Sequence, residues 1–362
     1  MVDKDGDYPI YGASGYIGNV DFYHQEQPYV AVVKDGAGIG RTTLHPAKSS
    51  VIGTMQYLLP KGNVLPEYLC YVVKYMHLEK YFTGATIPHI YFKDYKNEEF
   101  NLDSLDRQKE IVSTLNKIEK VIESRTKELE LLDELIRARF VELFGNPLDG
   151  TAKYPIHQVG EVANSVDPQP SHRTPPVEEG GIPYVSIKDC DYKTGKIDFE
   201  GARKVSLKVL EEHMNRYTLH DGDFVVGKIG TIGNPVFVPV RNDYTLSANV
   251  VLIQPNSELV SPYFLKYSFE SDFVERQFAE AKNSTSQAAF GIQKVRTVEV
   301  MNPDLDVQRE FEIFVKQVDK SKFDIHKFLY CTSNNTQSII KPRPNTKESG
   351  KTRGGKLYAD EF

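Results

Sequence analysis

The feature that most constrains the fold is a six-residue segment that occurs twice. "LDRQKE" (Leu105–Glu110) returns as "LDVQRE" (Leu305–Glu310), 200 positions later. Each copy opens a charged run in which apolar residues recur at alternating spacings of three and four, the pattern of a helix with a heptad seam. The predicted seam residues are Ile111, Leu115, Ile118, Ile122, Leu129, Leu132, Ile136, Phe311, Val315, Val318, Ile325 and Leu329.

The match continues upstream of the hexapeptides. "VVKDGAGIG" (Val32–Gly40) resembles "VVGKIGTIG" (Val225–Gly233), and "PEYLCYVVKY" (Pro66–Tyr75) resembles "PYFLKYSFES" (Pro262–Ser271). The offset between the copies rises from 193 through 196 to 200, as loop insertions would produce. The sequence therefore predicts a tandem duplication in which each half is a globular module followed by a long helix.

Composition within the modules predicts their class. Gly-rich turns alternate with short β-branched runs, so we expect mixed, β-rich modules and an α+β fold. The first module has no counterpart of Tyr154–Pro183 and is predicted to be shortened. The predicted organisation is a first module at 1–105, a spacer helix at 106–145, a second module at 151–304, a second helix at 305–330 and a disordered basic tail at 331–362.

Overall composition bounds the possible locations and partners. A hydrophobic content of 40% and a charged content of 26% are typical of a soluble folded protein. The apolar runs are far shorter than the roughly 20 residues that a membrane helix needs, and the first residues resemble no secretion signal, so we expect a cytoplasmic protein. The net charge of −6 does not argue against nucleic acid, because acidic residues collect on the first helix while basic residues lie elsewhere.

Motifs for catalysis are missing from both halves. The Gly-rich loops lack the downstream acidic residue of a dinucleotide site, and "GKIGTIG" lacks the Ser or Thr of a phosphate loop. Neither "VDPQP" nor "GNPLD" has the second proline followed by an aromatic residue that the motif of amino-methyltransferases carries. The three cysteines lie far apart, and the histidines form no metal-ligand pair. We therefore predict no catalytic site, no metal and no cofactor bound by this chain.

Two similar modules joined by a helical spacer suit a ligand with two separated sites. If each module reads a few base pairs, the ligand is a split DNA sequence with an unread gap. Lysine and arginine suit phosphate or guanine, whereas asparagine, glutamine and serine suit base edges. The candidate DNA contacts are Lys34, Arg41, Thr86, His89, Tyr91, Lys228, Asn234, Ser286 and Gln287.

Four segments together resemble a known family. "VVKDGAGIG", "VVGKIGTIG" and "GATIPHIYFKDY" (Gly84–Tyr95) are three of them, and "LDRQKEIVSTLNKIEKVIESRTKELELLDELIRARFVELFG" (Leu105–Gly145) is the most specific. They are similar to the specificity subunits of type I restriction–modification systems, over nearly the whole span from Tyr8 to Leu329. That resemblance implies two target-recognition domains, separated by two helices that pack as an antiparallel coiled coil.

The resemblance also implies partners and a division of labour. The chain would bind double-stranded DNA and direct methyltransferase subunits that use S-adenosylmethionine to methylate adenine. Motor–nuclease subunits that use ATP and Mg²⁺ would join them, and this chain would hold none of these cofactors. The methyltransferases would contact the long helices, either at the acidic outer face or at the neighbours of the seam. Three alternatives stay open at the level of sequence: a truncated or rearranged subunit, a type IIB-like subunit, and a coiled-coil scaffold that reads no DNA.

Overall fold

The structure, a computed structural model, describes residues 6–83, 88–171, 173–192, 194–228, 233–283, 291–340 and 354–358. The chain divides into two compact units, one of Met1–Lys127 with Asp324–Phe362 and the other of Glu128–Phe323. Each unit contains one β-rich module and a part of each long helix, so the predicted mixed α+β class with two modules is confirmed.

Before the long helix, the described part of the first unit contains seven strands, two α-helices and a 3-10 helix at Leu78–Tyr81. The strands and α-helices are β1 (Tyr8–Gly12), β2 (Gly15–Val20), β3 (Tyr29–Val33), β4 (Thr42–His45), β5 (Ser50–Val51), β6 (Met55–Leu58), α1 (Pro66–Tyr75), α2 (Phe92–Tyr95) and β7 (Glu99–Asn101). The long helix α3 spans Leu105–Phe144 and continues into the second unit.

The second unit repeats this order with insertions. Its elements are β8 (Ile156–Gln158), α4 (Val159–Val162), β9 (Ala163–Val166), β10 (Ile182–Val185), β11 (Cys190–Asp191), β12 (Lys196–Ile197), β13 (Arg203–Val205), α5 (Leu207–Met214), β14 (Phe224–Gly227), β15 (Val236–Phe237), β16 (Thr245–Leu246), β17 (Val250–Pro255), α6 (Pro262–Phe269), α7 (Asp272–Asn283), α8 (Ile292–Arg296) and β18 (Glu299–Met301). The second long helix, α9 (Leu305–Ile340), and a last strand, β19 (Gly354–Lys356), complete the described chain.

Sheet topology shows the duplication directly. One sheet has the order β4-β3-β6 in the first unit and β15-β14-β17-β9 in the second. The other has the order β2-β1-β5 and β13-β10-β16, and in both copies the central strand, β1 or β10, pairs parallel with β5 or β16. The small β11–β12 hairpin is an insertion of the second module, between β10 and β13.

The central strand of each module is buried on both faces. In β3, Val30 and Val32 pack with α1, whereas Ala31 and Val33 pack in a separate cluster on the other face. In β14, Phe224 and Val226 pack with α6, and Val225 packs in a separate cluster. A strand buried on both faces reads as a continuous apolar run, which explains why "YVAVV" shows no alternation.

The structure corrects the alignment of the two central strands by one residue. The sequence pairs Val32 with Val225, but these side chains lie on opposite faces of their sheets. The backbone instead makes Lys34 equivalent to Lys228, since their N–H groups donate to the carbonyls of Thr54 and Asn249 at 2.9 and 2.8 Å. Successive side chains of a strand point to opposite faces of the sheet, so a shift of one residue in the alignment moves every side chain to the other face. The residue identities alone do not reveal this shift.

The repeated hexapeptide is explained by its glutamine. Gln108 is fully buried, and its side chain accepts from the Leu65 N–H at 2.8 Å and donates to the carbonyls of Asn63 and Asp103 at 2.9 and 2.8 Å. Leu65 is the residue before α1, so this side chain joins the start of the long helix to the start of another helix. One buried side chain thereby satisfies backbone groups from two segments.

Gln308 repeats this arrangement in the second unit. It is also fully buried, accepts from the Ser261 N–H at 2.7 Å and donates to the Pro303 carbonyl at 2.7 Å. Ser261 is the N-cap of α6, the counterpart of α1. The hexapeptide is conserved between the halves because its glutamine ties each long helix to its own module.

The long helices run antiparallel. In the second unit, Arg139 of α3 pairs with Glu310 of α9 at 2.6 Å, and Asp133 pairs with Lys322 at 2.7 Å, so higher numbers on one helix meet lower numbers on the other. In the first unit, the Arg125 guanidinium lies 5.9 Å from the centre of the Phe328 ring. The buried seam residues are Ile111, Leu115, Ile136, Phe311, Val315, Val318 and Ile325. The half-buried seam residues are Ile118, Ile122, Leu129, Leu132 and Leu329.

Beyond residue 330 the structure differs from the sequence-based prediction. The second helix continues to Ile340 rather than ending at 330, and residues 354–356 form a strand within the predicted disordered tail. This strand, β19, pairs antiparallel with β7, with Gly355 opposite Phe100. A Cβ on Gly355 would lie 2.4 Å from the Phe100 ring, so the strand can approach only with glycine there.

The position of β19 bears on the predicted shortening of the first module. In the second unit β8 pairs with β18, the strand before α9, and Val159 behind it is buried. In the first unit β19 takes the same place beside β7, and Leu357 behind it is buried in the core around α1. The first strand of the second module, β8, is thus matched in the first unit by β19, which follows both long helices in the sequence. The composition of the tail does not predict β19, because this strand forms by pairing with the edge of β7, which is distant in sequence.

Candidate nucleic-acid interface

Three segments of the first module meet at one edge. The loop after β3 contacts the segment before α2, since the Gly36 N–H donates to the Pro88 carbonyl at 2.9 Å and the Ile90 N–H to the Lys34 carbonyl at 3.0 Å. The same loop reaches the β1–β2 turn, where Arg41 Nη1 donates to the Ala13 carbonyl at 2.9 Å. We call residues 13–17, 34–41 and 88–91 the first loop edge.

Glycines shape this edge. Gly36 and Gly40 have φ angles of +87° and +80°, in the left-handed region that favours glycine. The Gly40 N–H donates back to the Val33 carbonyl at 2.9 Å, and a Cβ on Gly40 would lie 2.9 Å from the Glu79 nitrogen. "KDGAGIG" is therefore a tight turn that returns the chain to β4.

The structure brings four sequence candidates together on the first loop edge. Lys34 is half-buried, Arg41 is exposed, and Tyr91 is 47% exposed with the Lys93 ammonium 4.9 Å from its ring centre. His89 is half-buried and its Nδ1 contacts the Asp35 carboxylate. Cations beside exposed aromatic rings are side chains that bind phosphates and stack on bases.

Two exposed residues of this edge were not among the candidates. Tyr16 is 63% exposed and Ile17 is 43% exposed on the β1–β2 hairpin. The Tyr16 hydroxyl donates to Asn19 Oδ1 at 2.9 Å, which holds the ring. The signal in the sequence was available: "GASGYIG" places a tyrosine and an isoleucine beside a two-residue hairpin turn.

In the second module the equivalent lysine lies in a different environment. Lys228 is buried, and its Nζ lies 2.6 Å from Asp167 Oδ2. A phosphate contact by this ammonium would require the buried ion pair to open, so the role of Lys228 at DNA stays a prediction. Asn234 is half-buried and follows Gly233, whose φ is +96°. Thr86, Ser286 and Gln287 lie outside the described residues.

A buried polar network anchors the second module's β9–β10 connection. His213 Nε2 lies 2.5 Å from Gln169 Oε1, and its Nδ1 lies 2.6 Å from Thr245 Oγ1, which also contacts the Tyr217 hydroxyl at 2.9 Å. Burial lowers the pKa of His213, and the Arg216 charge lowers it further. A neutral imidazole fits these partners, since Nε2–H donates to the amide oxygen while Nδ1 accepts. Sequence reasoning missed this network because its members are far apart in the chain.

The described residues hold no group of three or more His, Cys, Asp or Glu side chains arranged to bind a metal ion. Among the helices in those same ranges, none combines the length and apolar character needed to cross a membrane.

Comparison with known proteins gives a consistent result. A family model, the type I restriction modification DNA specificity domain, matches residues 2–134 and 153–330. The type I restriction enzyme MjaVIII specificity subunit of Methanocaldococcus jannaschii is 22% identical over 308 residues, covering 80% of this chain and 72% of that protein.

Solved structures share the fold. The S subunit of a type I restriction–modification system from M. genitalium superposes with a TM-score of 0.52 at 15% identity, covering 94% of this chain and 89% of that one. A chain from a study of complex assembly and conformational transition in the type I R-M system gives a TM-score of 0.53 at 12% identity, covering 92% and 90%.

Proposed function

The chain belongs to the type I restriction–modification DNA specificity family, and we propose that it selects a split DNA target for the modification and restriction subunits of such a system. The observation that carries this proposal is one repeated scaffold on which equivalent lysines have different surroundings. Gln108 and Gln308 fix the same framework twice, while Lys34 is half-buried on the first loop edge and Lys228 is buried in an ion pair with Asp167. A protein that reads two different half-sites needs this combination of constancy and variation.

Basic and aromatic side chains of the first loop edge would have different roles in DNA binding. Arg41 and Lys34 would contact phosphates, which position the duplex without reading its sequence. Exposed side chains of the first loop edge, such as Tyr91 and Tyr16, would lie against bases or sugars. The second module would read the other half-site with its own loops, Asn234 included.

Catalysis belongs to partner subunits in this proposal. Methyltransferase subunits would bind S-adenosylmethionine, and motor–nuclease subunits would bind ATP and Mg²⁺. The chain itself would act in the cytoplasm as a non-catalytic specificity subunit. The absence of duplicated nucleophiles or metal ligands in the sequence supports this division.

The methyltransferase contact would lie on the long helices beside the seam. In the second unit, Leu131 and Leu135 of α3 are 52% and 47% exposed, although their neighbours Leu132 and Ile136 are half-buried and buried. Two leucines one turn apart form an apolar stripe next to the seam, which a partner helix can cover. This observation favours the neighbours of the seam over the acidic outer face.

The test is a map of methylated adenines. The chain is co-expressed with its methyltransferase partner in cells that carry random-sequence DNA, and modified adenines are located by sequencing. We expect a motif of two different half-sites with a constant gap. Methylation without a motif, or stable co-purification with no methylation, would contradict sequence selection and support a scaffold that reads no DNA. A palindrome of one half-site would show that a single module reads.

A further inference from the structure

An aspartate–histidine pair on the first loop edge has no role in the fold described above. Asp35 follows Lys34 in the loop after β3, and His89 lies in the segment before α2; their side chains meet through the Asp35 carboxylate and His89 Nδ1. The backbones of the two residues also form an isolated antiparallel bridge. The pair is therefore held at a fixed separation by the main chain as well as by its own contact.

The pair is accessible to a ligand. His89 is 24% exposed and Asp35 is 31% exposed in their side chains. The Tyr91 ring packs on the imidazole with centroids 3.9 Å apart, which restrains the ring from another direction. Nε2 of His89 has no hydrogen-bond partner among the described residues. Asp35 and Tyr91 therefore orient the imidazole, and its Nε2 can form a hydrogen bond with a ligand.

The second module lacks this pair in its sequence. The register that equates Lys34 with Lys228 places Ile229 at the position of Asp35. The 200-residue offset of the hexapeptides places Ala289 at the position of His89. The common scaffold therefore does not require an aspartate or a histidine here. A feature of one module alone, on its loop edge, is where two modules with different targets are expected to differ.

The chemistry of the pair determines what it recognises. A neutral imidazole that donates Nδ1–H to a carboxylate keeps its lone pair on Nε2, and that nitrogen then accepts hydrogen bonds. In the major groove, hydrogen-bond donors are the amino groups at N6 of adenine and N4 of cytosine. Guanine and thymine present an acceptor oxygen at the same place in the major groove. Two acceptors form no hydrogen bond, so the base oxygen and Nε2 would both lack a partner.

We propose that His89 reads one base of the first half-site through Nε2, that Asp35 is the positioning residue that fixes this nitrogen as an acceptor, and that the base read carries an amino group in the major groove. This inference rests on the proposed function and names the mode of reading in one module. The other half-site provides an internal control, because it is read by a module that lacks the pair.

The experiment maps methylated adenines for three variants co-expressed with the methyltransferase. In Asp35→Asn the side-chain volume is kept, but the amide NH₂ can donate to Nδ1, so that Nε2 carries the proton and becomes a donor. In His89→Ala the reader is removed. Asp106→Asn is the matched control, since its carboxylate is 92% exposed on α3 in the same unit and remote from the loop edge in sequence.

We expect wild type and Asp106→Asn to require adenine or cytosine at one position of the first half-site. His89→Ala should relax that position by roughly 5- to 100-fold in relative methylation, the range of one base contact. Asp35→Asn should shift the preference there toward guanine or thymine. The second half-site should stay unchanged in all variants.

The inference is overturned if Asp35→Asn and His89→Ala both keep the wild-type motif. It is also overturned if they lower methylation without changing the base preference at any position, which is the result expected if the pair only stabilises the fold. A change in the second half-site would overturn it as well. If the wild-type chain itself directs no split motif, the proposed function fails first; a wild-type split motif with unaffected variants rejects this inference alone.

Discussion

The two modules share a scaffold and differ at their loop edges. In both, a buried glutamine from the hexapeptide joins the long helix to a module helix, and a central strand is buried between two clusters. At the start of the following loop, however, Lys34 is half-buried beside an aspartate–histidine pair, whereas Lys228 is buried in an ion pair with Asp167. The comparison indicates that residues shared by both modules stabilise the common fold. Residues that determine DNA specificity are expected where the two modules differ.

The hairpins differ in the same way. The β1–β2 turn in the first module is two residues long and exposes Tyr16. The equivalent connection from β10 to β13 in the second module runs over residues 186–202 and contains the β11–β12 hairpin. One strand pair thus carries a minimal turn in one copy and an extended excursion in the other. Equivalent positions on one framework present different surfaces.

The largest expected effect breaks the shared scaffold one module at a time. Gln108→Leu removes the side-chain partner of the Leu65 N–H and of the carbonyls of Asn63 and Asp103, at about 1 kcal/mol for each hydrogen bond. We expect the unfolding free energy of the first module to fall by about 3 kcal/mol, measured as faster amide hydrogen exchange confined to that module. Gln308→Leu should act likewise on the second module.

The control for this pair is Gln317→Leu, at an exposed position of α9. It should leave exchange in both modules unchanged. If one glutamine substitution accelerated amide hydrogen exchange equally in both modules, the two modules would not be stabilised independently, which contradicts this prediction.

A second prediction compares two surfaces of the first long helix. Replacing Leu131 and Leu135 by serine removes apolar area that a partner would cover, worth about 1.5 kcal/mol for each leucine. We expect roughly a hundredfold weaker methyltransferase binding in titrations of the purified chain. Charge reversal at Glu123 and Glu130 should leave that binding unchanged, and the opposite result would assign the contact to the acidic face.

A third prediction uses one buried histidine in each module. Burial lowers the pKa of His45 in β4 to about 4, and burial followed by the Arg216 charge lowers the pKa of His213 in α5. The unfolded imidazole takes up a proton near pH 6.5, so stability is full above that pH and falls as the pH drops toward 4. For His45 we expect about 2 kcal/mol less unfolding free energy at pH 5 than at pH 7.

Denaturant titrations at the two pH values, followed by exchange in each module, measure this effect. His45→Asn should remove the pH dependence from the first module and leave it in the second. An unchanged dependence in the first module after this substitution would exclude His45 as its source.

The smallest expected effect concerns phosphate contact. Arg41→Ala should weaken DNA binding by about 1 kcal/mol for all sequences and reduce the slope of log affinity against log salt by about one. Lys109→Ala, also in the first unit and on α3, is the matched control and should change neither quantity. A change of motif with Arg41→Ala, rather than a uniform loss, would assign this guanidinium to a base instead.

Local patterns predicted the parts of the fold that depend on neighbours in sequence. The predicted spacer helix at 106–145 agrees within one residue at each end with α3, Leu105–Phe144. Features that depend on distant partners escaped: the pairing of β19 with β7, and the buried ion pair of Lys228 with Asp167. Likewise, the sequence listed His89 as a polar reader but gave no reason to connect it with Asp35.

The measurement that tests the central claim most directly is the motif of a chimera. Residues 1–104 are replaced by residues 151–304, so that β8, β9 and Asp167 accompany the strands and the lysine that they contact, and the exchange ends before equivalent hexapeptides. If each module reads its own half-site on an interchangeable scaffold, the methylation map should show the second half-site twice and the first not at all. A chimera that co-purifies with methyltransferase but keeps the wild-type motif would contradict the account.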